Sequence, residues 1–285
     1  MPADEDKYPA ASGRRRFVKG VVGSAALASV AAGSSAAINT ATNPSGAGGG
    51  PTQYVGVENT AGPAPRGMPI IPIEIQDGEL GGLWPEVSER TQGGRTITVA
   101  QQDVGGLTYS STWFQYCGVQ GFPSVKPEAE ADNKFLAAGG YDWMSEVENG
   151  ATLTVDMFQD YQEWGNTIGR AGLGKPASAT WRNTEGSRPL PVQVLRTPEL
   201  PKMINGEGKY SDIPGPVRNF LEAATDRNFM AWLNKCTHFC CTPSGFKSSG
   251  YSGAENAAYC QCHQSIYDPF SPVQKQFVAL PRPEE

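Results

Sequence analysis

Apolar and polar residues alternate in short runs along most of the chain, with a period of two more often than 3.6. The stretches "MPIIPIEI" (68–75), "RTITVA" (95–100), "ATLTVDMF" (151–158) and "PLPVQVLRTPEL" (189–200) each predict strands, the last closed by proline. "FMAWLNKCTHFCC" (229–241) and "QFVALP" (276–281) extend the series. The best helical signal is "PVRNFLEAATDRNFMAWL" (216–233), in which Pro216 opens a helix that gives way to a strand near Phe229. Residues 101–190 are too long for a single connection and are read as strands carrying an insertion, a lid or a docking surface. No internal repeat is present. The pattern predicts an all-β fold of stacked antiparallel sheets.

Composition supports that reading. The 34 glycines and 23 prolines favour strands, turns and loops over a helical bundle, and 285 residues are enough for one large domain or two small ones. A formal net charge of -6 leaves no basic field, which argues against nucleic acid or anionic lipid as the main partner.

The N-terminal residues read as a targeting segment. In "GRRRFVKG" (13–20), Arg14, Arg15, Phe17 and Lys19 resemble a twin-arginine export signal, although Gly13 stands where Ser or Thr is usual. The stretch from Phe17 to Ile38 is long enough to span a hydrocarbon core of about 30 Å, but it is weakly apolar, with small residues at 35–37 that would also suit a signal peptidase. Residues 1–38 are therefore expected to be a twin-arginine signal retained as one N-terminal transmembrane helix. That topology makes the protein single-pass in the cell membrane, with its soluble domain on the extracytoplasmic side. "NTATNPSGAGGGPTQ" (39–53) and "AGPAPRGMP" (61–69) have the composition of a linker, so residues 39–66 are expected to be a flexible Gly/Pro-rich tether. Gly169, Gly174 and Lys175 imitate part of a phosphate loop, but Pro176 occupies the Ser/Thr position and the reading fails.

The chemistry is concentrated in two short runs. "CTHFCC" (236–241) and "CQCHQSIYD" (260–268) hold both histidines and five of the six cysteines. Cys236 with His238, and Cys260 with His263, form two Cys–His pairs that could make a tetrahedral zinc site. They could equally hold a 2Fe–2S cluster with two cysteines on one iron and two histidines on the other. Spacing alone does not choose.

The additional cysteines do. The two runs resemble those of the Rieske iron–sulfur protein of quinol-oxidising cytochrome bc-type complexes, which read C-T-H-x-G-C and C-x-C-H-x-S-x-Y-D. The resemblance also takes in the N-terminal anchor, the tether, "VQVLRTPEL" and "DPFSP", but not the middle of the chain. It implies that Cys236 and Cys260 bind one iron of a 2Fe–2S cluster and His238 and His263 the other, and that Cys241 and Cys262 form a disulfide between the loops. It further implies that Ser265 donates a hydrogen bond to a bridging sulfide and Tyr267 one to a ligand cysteine. Both bonds stabilise the reduced state and place the potential toward the upper end of about -150 to +300 mV.

The resemblance implies a function as well. His263, with His238 beside it, would contact a quinol and take its proton, since imidazole on iron becomes more basic on reduction. Phe239 would pack at the docking surface. The partners implied are a cytochrome b subunit, which takes the second electron, and a c-type cytochrome or small copper protein that accepts the first. The protein would thus be the iron–sulfur subunit of a quinol:cytochrome c oxidoreductase, active only with its partner subunits. The small Rieske subunit of an exported oxidase, such as arsenite oxidase, is the alternative. A structural zinc site leaves Ser265 and Tyr267 unexplained, and soluble Rieske ferredoxins generally lack the disulfide and the export signal.

Residues 67–285 are expected to form the Rieske domain, with a cluster-binding subdomain at about 231–272 and the insertion at about 101–190. Two departures from the family pattern stand out. Cys240 occupies a glycine position and Cys117 lies far upstream; in an exported protein two leftover thiols could pair and pin the middle region against the first loop, or stand as two separate cysteines, one buried and one near the tip, and the sequence leaves both open. The loop 242–259 is longer than the pattern requires and is read as a surface excursion.

Overall fold

Five consecutive buried residues, Phe229–Leu233, lie at the centre of the main sheet. In the computed structural model the described residues are 49–283 except 93–94, 166–169 and 247–252. The strands in chain order are β1 (Gly50–Ala61), β2 (Met68–Ile71), β3 (Ile73–Gln76), β4 (Glu79–Gly82), β5 (Val87–Gln92), β6 (Arg95–Val104) and β7 (Leu107–Ser110). They continue as β8 (Leu136–Ala137), β9 (Lys175–Trp181), β10 (Leu190–Arg196), β11 (Phe229–Leu233), β12 (Ala258–Cys260) and β13 (Ser265–Ala279). An eight-stranded sheet runs in the order β12-β13-β1-β2-β11-β10-β9-β8, with β3-β4 and β5-β6-β7 as smaller sheets. All the strand pairs are antiparallel, and the described chain is mostly β.

Burial on both faces explains why β11 is an unbroken apolar run rather than an alternating one. Each such fully buried large side chain contributes about 1.5–3 kcal/mol relative to exposure. Two helices precede β11, α1 (Leu200–Asn205) and α2 (Gly215–Ala224). Pro216 sits in the first turn of α2, where its missing N–H costs nothing, and Val217, Phe220, Leu221 and Ala224 form the buried stripe.

β1 and β13 form the longest pairing, and its irregularity positions the site. Their register runs from Gly50↔Ala279 to Val57↔Pro272 and then jumps to Glu58↔Asp268. Pro269 and Pro272 in "DPFSP" cannot donate to a ladder, so the strand bulges between them. Beyond the bulge, residues 265–267 pair with β12 on one side, and 266–268 pair with the end of β1 on the other.

Three expectations are corrected here. Residues 50–61 are not tether: Tyr54, Val55 and Val57 put buried side chains into a strand that pairs on both edges. Residues 101–190, expected to be strands carrying an insertion, do supply the strands β7, β8 and β9, but the rest is no separate insertion, because it buries Trp113, Phe114, Phe135, Leu153 and Phe158 in the main core. Within them 151–158 forms no strand. Leu153 bridges between Leu80 and Phe135 through main-chain bonds of 2.8 Å each, and the chain then turns into a 3-10 helix at Val155–Phe158.

A buried arginine fastens this middle region. Arg182, 2% exposed, donates to the carbonyls of Ser124 (2.9 Å) and Ala129 (2.6 Å) and to Asn133 Oδ1 (2.9 Å). Its guanidinium lies 4.1 Å from the centre of the Trp84 ring. Burial lowers its pKa to about 10, so it stays charged and its donors stay filled. Lys175, of the rejected phosphate-loop motif, pairs with Asp160 at 2.7 Å and lies over Trp143.

The boundaries expected for a cluster-binding subdomain, 231 and 272, fall inside β11 and β13 of the main sheet. The expected targeting segment and anchor, 1–38, and the first part of the tether, 39–48, lie outside the described residues. Among the described residues no helix is long and apolar enough to cross a membrane.

Candidate metal centre

The first loop leaves the sheet where β11 ends. Asn234 Nδ2 donates to Pro243 O (3.1 Å), closing the base of the loop. Cys236 N donates to Cys241 O (2.8 Å) and Cys240 N to Cys236 O (3.2 Å), so residues 236–241 form a tight main-chain turn. The second loop is the four-residue turn Gln261–Gln264 between β12 and β13, held by Gln264 N to Cys260 O (2.8 Å) with Gln264 at φ 62°. A cysteine at the end of a buried strand and a histidine in the turn beyond it are thereby sent to different environments.

The two loops meet. Cys236 and Cys260, 1% and 0% exposed, are free thiols in contact with each other. Burial pushes the Cys260 thiol up, main-chain N–H groups of Cys262 and His263 oppose this, and the neighbouring Cys236 sulfur adds to the rise. Two adjacent sulfurs in a dry site ionise together only if a cation joins them. Outside them, the His238 and His263 rings lie 4.8 Å apart, edge to face. His238 Nδ1 is buried and has no hydrogen-bond partner among the described residues. His263 is exposed. Phe239, 64% exposed, packs against both imidazoles, with ring centres 4.2 Å from His238 and 5.0 Å from His263.

Cys241 and Cys262 are joined by a disulfide, with Cα atoms 6.7 Å apart. Their sulfurs and that of Cys260 lie within 4.8 Å of one another, but disulfide sulfurs offer no thiolate, so this trio is not a ligand set. A second disulfide joins Cys117 to Cys240, with Cα atoms 5.1 Å apart.

Two hydroxyls approach the site from β13. Tyr267, fully buried, donates to Cys236 Sγ (3.2 Å) and accepts from Thr237 N (3.1 Å). Burial, reinforced by the bond to Cys236, holds the phenol well above its ordinary pKa and keeps it a donor. Ser265 Oγ, also fully buried, accepts from Ala64 N (3.2 Å), which leaves its own hydrogen to give.

The sequence pattern missed the segment that covers these hydroxyls. Residues 61–66, expected to be tether, pack on both loops: Ala64 meets Ser265, and Thr237 Oγ1 donates to Arg66 O (2.6 Å). Gly62, at φ +85°, lies so close that a Cβ there would meet Gln264 O at 2.5 Å and Ser265 Cα at 2.6 Å. Its Gly/Pro composition suits a rigid extended wall as well as a linker, and composition cannot separate the two. Tyr116, which donates to Lys235 O (3.0 Å), was missed too, and no local signal pointed to it.

Neither a family model nor a solved structure matches the chain. In sequence it is 28% identical over 150 residues to the ubiquinol-cytochrome c reductase iron-sulfur subunit of Rhodobacter capsulatus, a match covering 52% of this chain and 68% of that protein. The chain resembles a bc-type Rieske iron–sulfur protein. The donor set fits the Rieske cofactor: two free buried thiols, two imidazoles on the same side, and an orphaned ring nitrogen on His238 that a metal would satisfy. A Rieske ligand set of Cys236, Cys260, His238 and His263 makes use of each of these features. The loop expected to be a surface excursion, 242–259, is described at both ends. Ser244 N and Oγ both reach Tyr259 O (3.0 and 2.9 Å), and Phe246 bridges to Ala258, so these ends run along β12.

Proposed function

We propose that this protein is the Rieske-type electron-transfer subunit of a quinol-oxidising bc-type complex. The observation that carries the reading is the convergence of two Cys–His pairs from separate loops, with the thiols buried together and the imidazoles together outside them, His263 exposed and His238 half-buried. Cys236 and Cys260 would hold one iron of a 2Fe–2S cluster, and His238 and His263 the other. The bound cluster supplies one-electron chemistry at a potential raised by its neutral ligands and hydrogen bonds.

The chain's own residues do the rest. His263, exposed at the turn, accepts the hydrogen bond of a quinol hydroxyl and holds its proton at a ring nitrogen, with His238 beside it. Phe239 presents an apolar face to the quinol pocket of a cytochrome b subunit, and the same tip docks on a c-type cytochrome or small copper protein. Tyr267 donates to the Cys236 sulfur, and Ser265, whose hydroxyl hydrogen is left free by its bond from Ala64 N, would donate to the cluster; each such bond stabilises added negative charge. Export and anchoring by residues 1–38 belong to the same reading, and the activity requires the partner subunits.

The test is electron paramagnetic resonance of the purified chain, poised first with ascorbate and then with dithionite. A rhombic signal of low average g, already present with ascorbate, is expected. A signal seen only with dithionite would move the protein to a low-potential role, and bound zinc with no signal would end the electron-transfer reading.

A further inference from the structure

Cys117 and Cys240 take no part in the ligand set, yet the structure joins them across 123 residues of sequence. The stretch around Cys117 meets the first loop at three points. Tyr116 donates from its hydroxyl to Lys235 O at 3.0 Å, Cys117 Sγ lies 3.4 Å from Cys236 O, and the disulfide reaches Cys240. These contacts span the main chain from Lys235 to Cys240, the part of the loop that carries Cys236, His238 and Phe239.

The supporting stretch is itself held firmly. Gln115 and Tyr116 are buried, Leu280 N donates to Gln115 O (2.8 Å), and the Tyr116 ring packs edge-on to Phe277 at 6.2 Å with the Arg66 guanidinium 4.8 Å from its centre. Cys117 and Cys240 both have left-handed backbones, φ 54° and 65°, which L side chains adopt only where their surroundings impose it. The loop tip needs such support, because His238 is only half-buried and Phe239 is exposed, so burial holds the tip weakly.

We propose that Tyr116 and Cys117 are positioning residues for the first loop. They fix the main chain from Lys235 to Cys240, and through it the direction in which His238 and Phe239 are presented, independently of the Cys241–Cys262 link. The functional consequence rests on the electron-transfer reading above, whereas the positioning itself does not.

The test compares the full wild-type chain with Cys117→Ser/Cys240→Ser and with Tyr116→Phe, which keeps the disulfide. Amide hydrogen exchange is read in peptides covering 234–241 and, as the internal reference, β10 and β11. Exchange at least tenfold faster in 234–241 with β10 and β11 unchanged, accompanied by shifted g values of the reduced cluster, is the expected result for the disulfide variant. Tyr116→Phe should show the same local effect, about threefold. Equal acceleration in all three regions with unchanged g values would make the disulfide a general staple and overturn the proposal. If the wild-type chain gives no cluster signal, the proposed function falls and the exchange pattern alone decides the positioning role.

Discussion

The two halves of the candidate metal centre are held by different means. Cys260 ends β12 inside the β12-β13 hairpin, Cys236 lies buried in the loop three residues beyond β11, and Tyr267 of β13 donates to the Cys236 sulfur. His238, Phe239 and His263 lie in turns at the surface, where packing contributes little, and there the chain uses covalent links: Cys240 and Cys241 follow Phe239 directly, and Cys262 precedes His263. A group that must meet a substrate or a partner cannot be buried, so cross-links replace burial in fixing its geometry.

Breaking the buried half should have the largest effect. Cys260→Ser is expected to abolish incorporation of a 2Fe–2S cluster, measured as iron and acid-labile sulfide per chain; full iron content in this variant would remove Cys260 from the ligand set. Next come the cross-links of the exposed half. From loop closures of 123 and 21 residues, removing Cys117–Cys240 should cost about 5 kcal/mol and removing Cys241–Cys262 about 3 kcal/mol. Denaturant unfolding of the two Ser pairs measures this, and the reverse ranking would mean that the long link closes a loop already ordered in the unfolded chain.

Smaller effects sharpen the contrast. Tyr267→Phe removes the bond to Cys236 Sγ without touching a ligand, so the cluster should stay while its midpoint potential falls. A bond worth about 1.5 kcal/mol corresponds to roughly 60 mV for one electron. A redox titration showing no change would place the phenol in a purely structural role. Phe239→Ala, at the exposed tip, should change folding stability by less than about 0.5 kcal/mol and leave the cluster spectrum as it is, while slowing electron transfer from quinol. A loss of stability there would show that the tip is held by packing after all.

Much of the metal centre was legible in the sequence because its parts are local. A Cys–His pair two or three residues apart, Cys236 with His238 or Cys260 with His263, needs only one turn to share a side, and Ser265 and Tyr267, two apart on one strand, share a face. The strands at 68–76, 95–104, 190–196 and 229–233 were legible for the same reason, since alternation and apolar runs report burial directly. Residues 151–158 alternate as well as any of them, yet their main-chain bonds go to Leu80 and Phe135 one residue at a time and no ladder forms.

The sequence by itself determined the mostly β class, several of its strands, and the placing of both histidines beside cysteines in two short runs. Only the tertiary structure decided that the Gly/Pro-rich residues 50–67 are a sheet strand and a wall on the site, and that the middle region belongs to the core. The same holds for the contacts that tie Tyr116 to Lys235 and Cys117 to Cys240. Each of these depends on contacts between residues far apart in sequence, from 55 positions for Leu80 with Phe135 to 201 for Ala64 with Ser265, which no local pattern encodes and which form when buried surface and main-chain hydrogen bonds are satisfied together across the whole sheet.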